Sequence, residues 1–214
     1  MPGQSTPTTL TTVNNFIYLA SQSPRRRQLL EQLGVSYQLL LPEGDEDAEA
    51  LEQVLPNEAP AVYVQRVTQL KLDAALQRLH RRSLPAAPVL CSDTTVALGR
   101  VILGKPAEAA DATAMLAQLA GRTHRVLTAV AVGLGSQREQ VLSRSQVRFA
   151  PMVADEIEAY VGTGEPMGKA GAYGVQGRAA AFIAHISGSY SGIMGLPLFE
   201  TAQLLRRFQV RINA

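Results

Sequence analysis

The chain has 214 residues and a formal net charge of +2, and 18% of its residues are charged. This length suits one large α/β unit or two closely joined lobes, and the near-neutral charge gives no reason to expect a nucleic-acid polymer or a membrane surface as a partner. The single cysteine, Cys91, excludes an intramolecular disulfide framework and a cysteine-based zinc site, which fits a cytoplasmic location. No run of about 18 apolar residues is present, so we expect no membrane-spanning helix.

The first 15 residues differ in composition from the rest of the chain. Residues 1–15 are rich in Thr and Pro and contain no Arg. They predict a disordered tail and not a signal or transit peptide. Since no internal repeat or linker follows, we place one domain at residues 16–214.

The segment after the tail predicts a strand, a polar turn and a helix. Residues 17–20 form a short apolar strand, Ser23 suits the helix N-cap, and Pro24 suits the first helical position. Gly34 suits the residue just past the helix end. The charge is unusual, because residues 25–27 are all Arg and occupy the first turn, where each cation is unfavourable by about 0.3–1 kcal/mol.

An anion at this turn would explain the arginines. Two hydroxyls, free backbone N–H groups and clustered guanidinium groups at a helix start together describe a phosphate site. The alternative is a solvated basic turn. The buried strand directly before the turn favours the phosphate site.

An acidic segment and a helix come next. The segment Glu43-Gly44-Asp45-Glu46-Asp47 leads through Glu49 and Glu52 to Glu58. Such a run is usually a solvated loop, but carboxylates are also the groups that Mg²⁺ takes alongside substrate phosphates. Residues 60–80 predict a helix whose core stripe is Tyr63, Val67, Leu70 and Ala74. Lys71 borders this stripe, where a lysine either extends into solvent or serves a site.

Residues 89–92 predict a very apolar strand, and Asp93-Thr94-Thr95 follow directly at its end. Polar residues at the carboxyl end of an interior strand are where open α/β sheets place their chemistry. Residues 96–103 predict a hairpin that turns at Gly99-Arg100 and is followed by Lys105. We interpret Cys91 as a core residue. A Ser-His-Asp triad using His124 lacks a nucleophile elbow and is disfavoured.

The second half predicts helices at residues 107–119, 154–161 and 198–208 and strands at 124–134, 140–149 and 180–186. The region between residues 162 and 197 is dense in glycine, which favours loops wrapped around a ligand, although tight turns alone would also use glycine. Within it, Lys169 is a candidate phosphate ligand. Gln176 is a candidate reader of a base edge through its paired donor and acceptor.

Five motifs, in this order, resemble those of the Maf family: Leu-Ala-Ser-Gln-Ser-Pro-Arg-Arg at 19–26, Ser-Asp-Thr-Thr-Val at 92–96, Gly-Lys-Pro at 104–106, Lys-Ala-Gly-Ala-Tyr-Gly-Val-Gln-Gly at 169–177 and Gly-Leu-Pro at 195–197. Maf proteins are nucleoside triphosphate pyrophosphatases that were earlier described as inhibitors of septum formation. The resemblance implies their inosine triphosphatase-like α/β fold, with two lobes, a mixed twisted sheet flanked by helices, and a central cleft. It also implies a homodimer.

The resemblance further implies hydrolysis between the α and β phosphates of a nucleoside triphosphate, with Mg²⁺ or Mn²⁺ as cofactor. Asp93 matches the catalytic carboxylate, and its predicted place at a strand end suggests this role independently. The same residue and Glu46 match positions near the metal. The polar and basic positions of the family's phosphate pocket are matched by Ser21, Arg25, Lys71, Lys105 and Lys169.

Three positions discriminate between branches of the family. Arg26, Thr94 and Gln176 resemble the branch that acts on dTTP and UTP in nucleotide-pool housekeeping. The branch that acts on 7-methyl-GTP has Trp in its Ser-Pro-Trp-Arg-Arg loop, Gln after the catalytic Asp and Glu in place of Gln176. This chain departs from the usual pattern in its longer acidic loop, residues 44–58, and in Ser-Gly-Ile-Met before Gly195. The alternatives are a pyrophosphatase for 7-methyl-GTP or another modified nucleotide, and a non-catalytic regulator of septation.

Overall fold

The computed structural model describes residues 13–43, 46 and 50–213. The strands and α-helices of this part of the chain are, in order, β1 (Ile17–Leu19), α1 (Pro24–Gln32), β2 (Tyr37–Leu39), α2 (Pro60–Arg81), β3 (Val89–Leu98), β4 (Val101–Leu103), α3 (Ala109–Leu119), β5 (Thr123–Leu134), β6 (Gln137–Phe149), α4 (Ala154–Val161), β7 (Ile183–Ser187), α5 (Tyr190–Met194) and α6 (Leu198–Arg207). Short 3₁₀ helices cover Ala50–Glu52, Ala170–Ala172 and Arg178–Phe182.

The strands form one mixed sheet of seven strands in the order β2-β1-β3-β5-β6-β7, with β4 also paired to β3. β1 runs parallel to β2 and β3, and the other pairs are antiparallel. Helix α2 covers one face through Leu72 and Ala75, whereas α3, α4 and α6 pack on the opposite face. The predicted α/β class and the mixed sheet flanked by helices are confirmed.

Strand β3 differs from its prediction in a way that creates the cavity. The prediction that the strand ends at Ser92 is wrong, because β3 continues to Leu98 while paired with β5 along its length. On its other edge, β1 pairs only with Val89 and Leu90, and β4 pairs only with residues 96–98. Among the described residues, no strand covers β3 between these two partners. Residues 91–95 therefore border a gap in the sheet.

The bounds of helix α2 agree closely with the predicted ones, but the helix buries a slightly different face from the one predicted. Tyr63 and Val67 are buried as predicted, whereas Leu70 is 37% exposed. Val64 and Leu72 are fully buried instead, because they face β3 and β5. The packing of the helix against these two strands therefore shifts its core stripe by one or two positions.

Helix α5 was not predicted, because its five residues carry no helical periodicity. The Oγ atom of Ser189 accepts a hydrogen bond of 3.0 Å from the N–H of Gly192 and so caps the helix start. Gly195 ends the helix with φ of +119°, a left-handed conformation that favours glycine. This short helix places its last carbonyl groups beside the start of α1.

The first and last described segments of the chain meet. Asn14 forms an isolated bridge with Val210 and donates a side-chain hydrogen bond of 2.7 Å to the carbonyl of Phe208. Residues 1–12 of the predicted tail lie outside the described residues. Within the described part of the chain, none of the helices has the length and apolar character needed to cross a membrane.

Two glycines in the loop after α4 provide a matched test of packing. Gly168 and Gly171 both have φ of +70°, but a Cβ at Gly168 would meet nothing within 4 Å, whereas one at Gly171 would lie 2.8 Å from Val96 Cγ1. We expect Gly168→Ala to reduce the free energy of unfolding by about 1–2 kcal/mol through backbone strain alone. Gly171→Ala should lose about 1–3 kcal/mol more, because the buried contact is overpacked.

Denaturant unfolding of the two variants measures this difference, with Gly168→Ala as the control for strain. Equal losses of stability in both variants would contradict the close packing of Gly171 on β3.

Candidate active site

A cavity of about 630 Å³ opens at the gap beside β3. It lies within the size range of small-molecule sites. Its walls come from the turn before α1, from α2, β3 and the end of α5, and from the glycine-rich loop at residues 168–176. All ten candidate site residues line it: Ser21, Arg25, Arg26, Glu46, Lys71, Asp93, Thr94, Lys105, Lys169 and Gln176. The structure thus brings together residues that are up to 155 positions apart in the sequence, from Ser21 to Gln176.

The gap lets one cavity reach both faces of the sheet. Successive side chains of a strand point to opposite faces, so Asp93 lies on the α2 side while Ser92 and Thr94 lie on the side of α5. A continuous sheet would separate these groups. Here a ligand beside β3 can contact the Asp93 carboxylate and the Thr94 hydroxyl together.

The strongest ionic contacts of the cavity converge on Lys71. Its Nζ donates hydrogen bonds of 2.6 Å to Asp93 Oδ1 and 2.7 Å to Glu52 Oε1. Glu52 also accepts a bond of 3.0 Å from Lys105 Nζ. Burial opposes the charge on Lys71, but the Asp93 and Glu52 carboxylates outweigh it and raise the pKa of this lysine. Lys71 is therefore a half-buried, charged residue of the site and does not extend into solvent.

Among the described acidic residues of the loop, Glu52 joins this cluster, and sequence reasoning missed it. Glu46 lines the cavity, but its carboxylate is bound by Arg78 and Arg81. The hydrogen bonds from Arg78 are the main cause that lowers the pKa of Glu46. Seven carboxylates lie between residues 43 and 58, and no local signal distinguishes one of them. Only the path of the loop along α2 selects Glu52.

The two cavity arginines from the start of α1 are held by the end of α5. Arg26 donates from Nε to the carbonyl of Gly195 at 2.9 Å and from Nη1 to Ser21 Oγ at 3.1 Å. Arg25 Nε donates to the carbonyl of Met194 at 3.3 Å. The Gly195 carbonyl also accepts a bond of 2.9 Å from Ser92 Oγ. Burial lowers the pKa of Arg26, and the nearby Asp93 carboxylate opposes this shift.

The predicted N-cap role of Ser23 is only partly right. The residue stands at the N-cap position of α1, but its side chain makes no capping hydrogen bond. Instead, its backbone N–H donates to Ser21 Oγ at 3.2 Å. The start of α1 therefore retains the polar backbone groups that a bound anion favours.

The glycine-rich loop carries Lys169 and Gln176 and is organised by Glu165. The Glu165 carboxylate accepts hydrogen bonds of 2.9 Å from the Tyr160 hydroxyl and from the backbone N–H of Arg178. Lys169 Nζ donates to the Glu165 carbonyl. Burial raises the pKa of Glu165, but these donors together outweigh it and leave the pKa below its ordinary value. Glu165 is a second residue that sequence reasoning missed.

Apolar side chains form the cavity wall on the Thr94 face: Val96, Val126, Tyr173, Val175, Ile193 and Met194. His124 supports Tyr173 from behind through a contact of 2.8 Å between Nε2 and the hydroxyl, and burial lowers the pKa of this histidine to about 4. Cys91 is fully buried, which raises the pKa of its thiol to about 12. His124 and Cys91 are therefore structural residues, and the Ser-His-Asp triad is wrong.

The site combines a carboxylate, several cations and an apolar wall, a set suited to an anionic ligand that carries a ring. Among the described residues, no three His, Cys, Asp or Glu side chains form a metal cluster. Asp93 and Glu52 nevertheless meet at the single cation of Lys71. Two carboxylates together with substrate phosphates match the way in which Mg²⁺ is usually bound.

Comparisons with known proteins match nearly the whole chain. A family model described as Maf-like protein matches residues 16–208. A dTTP/UTP pyrophosphatase from Albidiferax ferrireducens is 72% identical over 94% of this chain and 100% of its own length. One from Polaromonas sp. is 69% identical over 92% of this chain and 98% of its own length.

Among solved structures, a nucleoside-triphosphatase / dITP/XTP pyrophosphatase from Mycobacterium abscessus aligns with a TM-score of 0.41 and 18% identity, over 64% of this chain and 75% of that one. This likeness is too low to support an argument. The sequence matches, in contrast, extend over nearly the whole chain at high identity. On their evidence, the chain belongs to the Maf family.

Proposed function

We propose that this chain is a nucleoside triphosphate pyrophosphatase that hydrolyses dTTP and UTP to the nucleoside monophosphate and pyrophosphate. The observation that carries the proposal is that Asp93 shares one cavity with the cationic side chains of Arg25, Arg26, Lys71, Lys105 and Lys169. Relatives of 72% and 69% identity are named dTTP/UTP pyrophosphatases, which supports the choice of substrate.

The proposed reaction uses electrostatics and positioning more than covalent chemistry. Phosphoryl transfer requires that the charge on the phosphate oxygens be neutralised and that water attack in line with the leaving group. We assign the cations to the phosphates and Asp93 to the attacking water, whose proton the carboxylate accepts as pyrophosphate departs. The hydrogen bond from Lys71 Nζ to Asp93 Oδ1 supports this role, because it orients the carboxylate toward the cavity.

A divalent cation fits the carboxylates of this site. Asp93 and Glu52 both contact Lys71 Nζ, so their oxygen atoms already surround a position of positive charge. We infer that these two residues hold Mg²⁺ or Mn²⁺, with Glu52 in the place first predicted for Glu46. The bound ion would neutralise charge on the phosphates.

A panel of nucleotides tests the substrate. With Mg²⁺ present, we expect the purified chain to release pyrophosphate from dTTP and UTP with a higher kcat/KM than from 7-methyl-GTP. Arg26, Thr94 and Gln176 all line the cavity, which favours this preference. Faster turnover of 7-methyl-GTP would change the substrate assignment, and no turnover of any triphosphate would favour a non-catalytic role in septation.

The variant Asp93→Asn tests the base. Because it keeps the size of the side chain but lowers its proton affinity, we expect nucleotide binding to persist while kcat falls by about 10² to 10⁴. Calorimetry measures the binding of the nucleotide to the variant, and the release of pyrophosphate measures kcat. Near-normal turnover in this variant would show that another group accepts the proton.

Glu52→Gln and Glu46→Gln form a matched pair that separates the two acidic residues. We expect Glu52→Gln to lower kcat/KM at limiting Mg²⁺ by about tenfold or more, because a carboxylate of the cation site is lost. Glu46→Gln should keep near-normal turnover but lose about 1–3 kcal/mol of stability, since Arg78 is only 5% exposed and loses its charged partner. A fall in kcat/KM for Glu46→Gln, with near-normal turnover of Glu52→Gln, would instead assign Glu46 to the metal site.

A further inference from the structure

The inference concerns Thr128, a residue of β5 that does not line the cavity but lies directly behind Thr94. Thr128 is 1% exposed, and its Oγ1 donates a hydrogen bond of 2.7 Å to the carbonyl of Gly192 in α5. A hydroxyl carries one proton, and a carbonyl can only accept. The proton of Thr128 is therefore committed to Gly192.

This commitment decides the direction of the neighbouring hydrogen bond. Thr94 Oγ1 lies 3.0 Å from Thr128 Oγ1, and one of the two must donate. Since the proton of Thr128 is already used, Thr94 is the donor. Thr94 lines the cavity and has then also used its single proton, so its oxygen lone pairs are all that it can offer to a ligand there.

The surroundings of Thr94 suit the edge of a flat ring. A Cβ placed on Gly195 would lie 3.5 Å from Thr94 Oγ1 and 3.4 Å from Arg26 Nε, so the absence of a side chain there keeps space between these two groups. Val96 and Val126, the next pair of β3 and β5 residues on the same face, line the cavity beside it. A ring against this wall would present a polar edge to Thr94.

We propose that Thr128 makes Thr94 an obligate hydrogen-bond acceptor and thereby selects bases whose facing edge carries an N–H donor. The inference rests on the proposed function and deepens it. Uracil and thymine carry a proton on N3, flanked by two carbonyl groups, whereas N3 of cytosine carries a lone pair. An acceptor at Thr94 pairs with the first edge and repels the second. Thr128 is thus a positioning residue for substrate discrimination.

Thr128→Val and Thr128→Ser are the matched variants that test this role. Valine keeps the shape but removes the hydroxyl, so the Thr94 proton becomes free to point into the cavity and to donate to N3 of cytosine. We expect the ratio of kcat/KM for UTP to that for CTP to fall about tenfold in Thr128→Val. Thr128→Ser keeps the hydroxyl and should retain the wild-type ratio.

A loss of packing alone would lower the use of both nucleotides and would leave this ratio unchanged. An unchanged ratio in Thr128→Val would therefore overturn the inference, as would an equal fall of the ratio in Thr128→Ser.

A second measurement needs only the wild-type chain and so does not depend on the folding of a variant. N3-methyl-UTP lacks the donor proton, and we expect its kcat/KM to be lower than that of UTP by about 10² or more. Equal use of UTP and N3-methyl-UTP at normal turnover would overturn the inference but leave the proposed function intact. No turnover of UTP or dTTP by the folded chain would overturn both.

Discussion

The cavity exists because β1 leaves the sheet after Leu19 while its neighbour β3 continues to Leu98. The polar turn at residues 21–23 leads directly into α1, which begins at Pro24, a residue that has no N–H to offer to a sheet. The edge of β3 beyond Leu90 stays open until β4 joins it at Val96. A mixed sheet with such a gap can offer both of its faces to one ligand.

The cations of the site already have hydrogen-bond acceptors within the protein. The guanidinium groups of Arg25 and Arg26 at the start of α1 donate hydrogen bonds to carbonyl groups at the end of α5. Lys71 lies between two carboxylates. These contacts reduce the electrostatic penalty of placing cations at the positive end of a helix. When a polyphosphate enters the cavity, its oxygen atoms replace the protein groups that now accept hydrogen bonds from these cations. Its binding therefore rearranges existing ion pairs and hydrogen bonds.

Helix α2 both covers the sheet and holds the acidic loop. At one end of the loop, Glu46 is bound by Arg78, and at the other Arg66 forms two hydrogen bonds of 2.7 Å with Glu58. The Tyr63 hydroxyl adds a bond of 2.9 Å to the carbonyl of Glu52. Anchors on both sides therefore restrict where the carboxylate of Glu52 can lie. They explain how Glu52, within a long acidic segment, takes a defined position beside Lys71.

The amino-acid sequence by itself determined the elements that depend on local rules and ten of the residues that line the cavity. The opening strand and helix follow from the apolar run, Pro24 and Gly34, and the α2 bounds follow from its periodicity. Eight of the ten candidates that share the cavity lie in the motifs, and the family resemblance supplied Lys71 and Glu46. Their roles in binding and catalysis stay predictions.

Only the tertiary structure decided which of several equivalent residues meets which partner. Glu52 and Glu46 are equally acidic in sequence, and the path of the loop over α2 separates them. The continuation of β3 through Asp93 depends on pairing with β5, more than 30 residues away along the chain. The proton direction at Thr94 depends on a carbonyl of Gly192, which is nearly 100 residues distant. Contacts of this range arise from the pairing of distant strands and the packing of helices on the sheet, and no local pattern of residues encodes them.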